Sequence, residues 1–138
     1  MRIKCLSAIA ASVAFTLAAG SALAHHSFAA EFDADRPVEL KGKVIKMEWI
    51  NPHSWIHLAV TNDAGEVEEW MIEGGAPNAL LRRGWNRNSL PPGTEISVQG
   101  YQAKDGSNRA NGRDITFPDG TKLFVGSART GAPGEHDE

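Results

Sequence analysis

Apolar and polar residues alternate in short runs along most of the chain, and glycine, proline and asparagine separate the runs. A period of two is the pattern of strands with one buried face. The first run covers Val38 to Ile50. Val38, Leu40, Gly42 and Val44 share one face; the phase then slips at Val44-Ile45, and Ile45, Met47 and Trp49 continue at odd positions. A slip of one residue in a long strand predicts a bulge with added bend. Asn51-Pro52 ends the run, because proline has no N–H for a ladder. His53 to Val60 is the second strand. Ile56, Leu58 and Val60 point one way, and His53, Trp55, His57 and Ala59 the other. The turn Asn62-Asp63-Ala64-Gly65 leads into a third strand, Val67 to Glu73. There Trp70 and Ile72 share the core face, and Glu69, Met71 and Glu73 share the opposite one.

Pro77 to Arg83 reads as a short helix, with proline in its first turn, Leu80 and Leu81 on one side and Gly84 to end it. Thr94 to Ala103 is a fourth strand, Lys104 to Asn108 a loop, about Asp114 to Phe117 a fifth strand, and Lys122 to Val125 a last one. His25 to Pro37 has no sustained period and reads as an N-terminal arm; Phe28 and Phe32 in it need cover and can dock on the domain. Ser127 to Glu138, small, polar and glycine-rich, reads as a disordered tail. A bent first strand, a three-strand meander, a helix between strands 3 and 4 and two further strands predict an all-β, OB-fold-like barrel of five to six strands over 38–126. Another small open barrel or a sandwich is the alternative.

Composition changes the picture at the N-terminus. Residues 1–24 hold 17 apolar residues, the cations Arg2 and Lys4, and no acid. With the short apolar run Leu6 to Ala19 and the box Ala22-Leu23-Ala24, this is the pattern of a secretory signal peptide. The expected mature chain begins at His25, lies in the periplasm or is secreted, and keeps no membrane span. Without Arg2 and Lys4, 12 cations face 17 acids, a net charge of −5. That charge argues against nucleic acid as a partner. Cys5, the one cysteine, departs with the signal, leaving neither disulfide, thiol nucleophile nor thiolate ligand.

The stretches HHSFAAEFD, WINPHSWIHL, GAPNALLRRGW and GYQAKDGSNRANGRDITFPDGTKLF resemble a family of small exported bacterial proteins of unknown function. The resemblance covers most of residues 25–126. It implies a periplasmic location and supplies no activity.

Candidate chemistry therefore comes from the residues. All five histidines, His25, His26, His53, His57 and His136, follow the expected cleavage point. Cleavage before His25 would give one residue both a free amine and an imidazole, which together chelate copper, and His26 adds a second imidazole. His53 and His57 share a strand face but stand about 13 Å apart at ~3.3 Å per residue, too far to share one ion. Each can share an ion with the arm or with Met71, Glu69 and Glu73 on the paired strand. Imidazole suits copper and zinc, thioether selects Cu(I), and Trp55 can add a cation–π contact. Small periplasmic OB-fold copper chaperones are similar in plan, although only one methionine stands on this face. The plainer reading has Trp55, His57 and Met71 packing under the arm. Arg109, expected in the loop between strands 4 and 5, can hold an anion or carboxylate.

Enzyme signatures are missing: the sequence has no G-x-S-x-G, no H-E-x-x-H and no Gly-rich phosphate loop before a helix. The sequence thus predicts a non-enzymatic, exported copper carrier or buffer, zinc being the alternative metal, with His25, His26, His53, His57 and Met71 as ligands. The rival is a metal-free interaction module that binds a partner protein or small ligand through Trp55, Glu69, Glu73 and Arg109.

Overall fold

The computed structural model describes residues 28–127 together with 132 and 133. The expected signal segment, His25, His26, His136 and most of the expected tail lie outside the described residues. A one-turn helix α1 (Phe28–Glu31) leads directly into β1 (Phe32–Glu48), followed by β2 (Trp55–Thr61), β3 (Val67–Glu73), α2 (Pro77–Arg82), β4 (Glu95–Ala103), β5 (Arg109–Thr116) and β6 (Lys122–Phe124).

Strand β1 carries the architecture, because its first part pairs with β4 (Phe32 to Lys43) and its last part with β2 (Gly42 to Glu48). The register against β2 shifts between Val44 and Lys46, where the apolar phase slips, and Ile45 is the extra, exposed residue. The bend turns the strand from one neighbour to the other. The pairing order β1-β2-β3-β5-β4-β1 closes a ring of five strands; β3 runs parallel to β5 and every other pair is antiparallel. Strand β6 adds to the far edge of β5. With α2 between β3 and β4, this is the OB-fold plan.

Most boundaries fall within two residues of expectation, and the starts of the first and fifth strands differ by more. The first strand starts at Phe32 rather than Val38, so much of the expected arm is α1 and strand. Its polar residues 33–36 lie in a register irregularity against β4, between Phe32 and Pro37, and so show no alternation. The fifth strand starts at Arg109 rather than near Asp114. Ala110 and Gly112 are buried in that stretch, and a Cβ at Gly112 would stand 2.7 Å from Ile72 Cγ2. Small residues are needed there, and they carry little apolar signal.

The core holds Ile56, Leu58, Val60, Trp70 and Ile72 from β2 and β3, as the alternation predicts, with Leu40, Val44, Val98 and Ile115 from the other strands. Leu80 of α2, Trp85 and Leu90 join the same core. Trp85 Nε1 donates to the Phe124 carbonyl (2.9 Å), and Arg83 donates to the Gly126 carbonyl (2.7 Å) with its guanidinium over the Phe124 ring. A second apolar cluster joins Phe28, Phe32 and Ala103, with Tyr101 and Ala132 against it, so both phenylalanines do dock on the barrel.

Candidate ligand-binding groove

The pleat that sends Ile56 and Leu58 inward sends Trp55 and His57 outward. On β3, Glu73 stands opposite Trp55, Met71 opposite His57 and Glu69 opposite Ala59. Strand β5 continues the face, with Arg109 paired to Met71. Arg109 is thus the first residue of a strand rather than part of the loop. Trp55, His57, Glu69, Met71 and Glu73 share one face as expected, whereas His53 stands in the β1–β2 loop because the strand begins only at Trp55 beyond Pro52, and the residues form two clusters.

The first centres on His57, which is 6% exposed. Its Nδ1 donates to Glu69 Oε1 (2.6 Å), and its Nε2 lies 3.5 Å from Glu48 Oε1. Lys46 Nζ is 2.5 Å from the same Glu48 oxygen, and that hydrogen bond holds the Glu48 carboxyl below its usual range. Lys46, Glu48, His57 and Glu69 therefore form a polar chain from β1 across β2 to β3. The carboxylate facing Nε2 is already bonded to an ammonium, so a metal ion on Nε2 would meet a cation. Met71 lies beside this chain with its thioether as the only sulfur donor on the face.

The second cluster lines an open groove of about 290 Å³. Its walls are Trp55, Glu73 and Arg109 from the sheet, Ile50, Asn51, Pro52 and His53 from the β1–β2 loop, and Glu31 from the end of α1. Arg109 Nη2 pairs with Glu31 Oε2 (2.7 Å), and its guanidinium stands over the Trp55 ring, 5.7 Å from the centroid. His53 Nδ1 is 3.4 Å from Glu73 Oε1 but makes no hydrogen bond. Glu73 is 6% exposed, and burial pushes its carboxyl above the usual range; His53 and Arg109 work against that rise, and Glu31 adds to it. A larger recess of about 430 Å³ lies elsewhere on β1 and β2, around Lys41, Lys43, Thr61, Val67 and Glu95. It holds no aromatic or histidine, and it brings no buried ionisable group to a ligand.

The buried carboxyl has a measurable consequence. An acid whose pKa is higher in the folded than in the unfolded state destabilises the fold as pH rises between the two values. Glu73→Gln should therefore be more stable than the parent at pH 7. The difference should shrink toward pH 4, where the parent carboxyl takes up its proton. Urea unfolding at the two pH values measures it, and an equal effect at both would exclude ionisation as the cause.

Among the described residues, no three His, Cys, Asp or Glu side chains converge to hold a metal ion. His53 and His57 each face a carboxylate of their own, in separate clusters. Glu31, Lys46, Glu48 and the loop residues Ile50, Asn51 and Pro52 escape sequence reasoning. Glu31 lies in a segment without a period, although Phe32 beside it marks where the chain is pinned. Nothing local marks Lys46 and Glu48 as site residues, and their reach to His57 depends on the bulge.

A family model matches residues 13–112. The chain belongs to a family of unknown function, DUF6152. No curated protein and no solved structure matches it. The DUF6152 span takes in every groove residue from Glu31 to Arg109, and it ends within β5, before β6.

Proposed function

We propose that this DUF6152 protein is an exported, non-enzymatic binding module whose ligand site is the groove around Trp55, His53, Glu73 and Arg109. One observation carries the reading. An indole, an imidazole, a guanidinium and two carboxylates converge in one groove beside the β1–β2 loop and the start of β5. OB-folds commonly bind ligands on the strand 2–3 face with the loops joining strands 1–2 and 4–5, so the position agrees with the chemistry. The likeness of fold is an analogy of position and names no ligand. Export rests on the signal-type N-terminus, and the missing enzyme motifs favour a binder.

The test is a fragment screen read by NMR on the mature protein. Shifts should concentrate on the Trp55 indole N–H and His53, and the His53 shifts should disappear in Trp55→Ala. Fragments that map to the Lys41–Lys43 recess instead would defeat the reading.

Copper binding, with zinc as the alternative metal, is a second reading favoured by one observation. Helix α1 delivers Glu31 to the groove, and His25 and His26 precede Phe28 by three and two residues in sequence. The donors would be His25 and His26 with His53, and Glu73 would help; a role for His57 or Met71 would require the Lys46–Glu48 pair to open. Cu(II) titration of protein that begins at His25 decides it. Affinity unchanged by His25→Ala and by His53→Ala would exclude this site.

A further inference from the structure

Resting on the reading of the groove as a ligand site, we infer that it takes a small organic cation, a guanidinium or primary ammonium group on an aliphatic stem. The chain already displays the chemistry. The Arg109 guanidinium stands against the Trp55 ring and bonds Glu31, so an aromatic face and a carboxylate hold a cation at the groove wall. Glu31 and Arg109 satisfy each other by this pairing, which leaves Glu73 to set the polarity of the space between them.

Glu73 is more than nine-tenths buried, yet among the described residues no donor makes a hydrogen bond to its carboxylate. Its neighbour His53 Nδ1 is likewise without a hydrogen bond. The carboxylate opens onto the groove, so a ligand that displaces its water must bring N–H groups in exchange. An anion would instead confront Glu73 with the one nearby guanidinium already committed to Glu31. A neutral apolar ligand would cover the walls and leave the carboxylate unsatisfied. Ile50, Pro52 and the Trp55 edge supply the apolar surface that an aliphatic stem needs. The groove, about 290 Å³, is at the small end for ligand sites, which suits a chain the size of an arginine side chain. The charge of a bound cation also opposes the rise that burial causes in the Glu73 carboxyl.

The experiment titrates agmatine, an aliphatic guanidinium with a terminal amine, and separately glutarate, an anion of similar length. Binding is read by NMR at the Trp55 indole N–H and the His53 ring in the parent and in Glu73→Gln, and at the His53 ring in Trp55→Leu. The expected result is agmatine binding at the groove, weakened at least tenfold in each variant, with no glutarate binding there. Glu73→Gln keeps the shape and should fold, so a loss in it reports charge. Groove binding by glutarate or neutral fragments but not agmatine would overturn the cation inference and leave the groove reading standing. Agmatine affinity unchanged in Glu73→Gln would also overturn the inference. Failure of every probe to shift Trp55 would remove both.

Discussion

Gly100→Ala should cost about 3 kcal/mol or more and can prevent the barrel from closing. A Cβ at Gly100 would land on the Asn111 carbonyl oxygen and lie 3.1 Å from its carbon and 3.3 Å from Gly112 Cα. All three are backbone atoms of the paired strand, so no side chain can rotate away. The register between β4 and β5 shifts between Gln99 and Gly100, so the irregularity falls at this contact. Natural domains are stable by only about 5–15 kcal/mol, so a loss of this size is a large fraction of the whole. Gly42 makes the same contact for β1: its Cβ would meet the Ala59 carbonyl oxygen, at the residue that pairs with both Val60 and Ile96. Urea unfolding midpoints of Gly100→Ala and Gly42→Ala measure both. A loss below about 0.5 kcal/mol, the range of ordinary surface changes, would mean that the strands separate freely at these points.

Trp85→Ala should remove about 3–5 kcal/mol, the usual range for deleting a large buried ring. Trp85 is 1% exposed, packs against Phe117, and its N–H reaches the backbone at Phe124. It therefore ties the segment after α2 to β6, the strand outside the closed ring. Trp85→Phe separates the two contributions. It keeps most of the ring's burial and loses only the hydrogen bond, for about 1 kcal/mol. Thermal melting of both variants should show a graded loss. Equal melting temperatures for Trp85→Ala and the parent would mean that α2 and β6 add nothing to the barrel.

The parts of the fold that were legible in the sequence are those where one face is buried and the other wet. Ile56, Leu58 and Val60 against Trp55 and His57 is such a case, and the register with Trp70 and Ile72 follows from it. The bulge was legible because burial forces an extra residue to show as a change of phase at Ile45. The starts of β1 and β5 were not legible. Asp33 to Arg36 leave the ladder register, and β5 fits between its two neighbouring strands only because Ala110 and Gly112 are small. For the site, alternation along β2 and β3 assembled Trp55, Glu69, Met71 and Glu73 on one face. It could not assign partners within that face. The division into a His57 chain and a Glu73 groove is set by Lys46 and Glu48 beyond the bulge and by Glu31 from α1. These long-range contacts have no local sequence signal.

Phe28 sets its ring edge-on to Tyr101 (5.4 Å between centroids), and the Tyr101 hydroxyl donates to the Pro133 carbonyl (3.4 Å). The first and last described stretches of the chain thus meet on one side chain of β4. Two stretches so close together can be joined directly, which is the geometry that circular permutation of the described barrel needs. A short linker from Pro133 to Phe28, with new ends opened at the exposed turn Asn62 to Gly65, would keep every strand pairing of the ring. It would also leave α1, which supplies Glu31 to the groove, joined to the chain on both sides, with the new ends available as a tether at the β2–β3 turn.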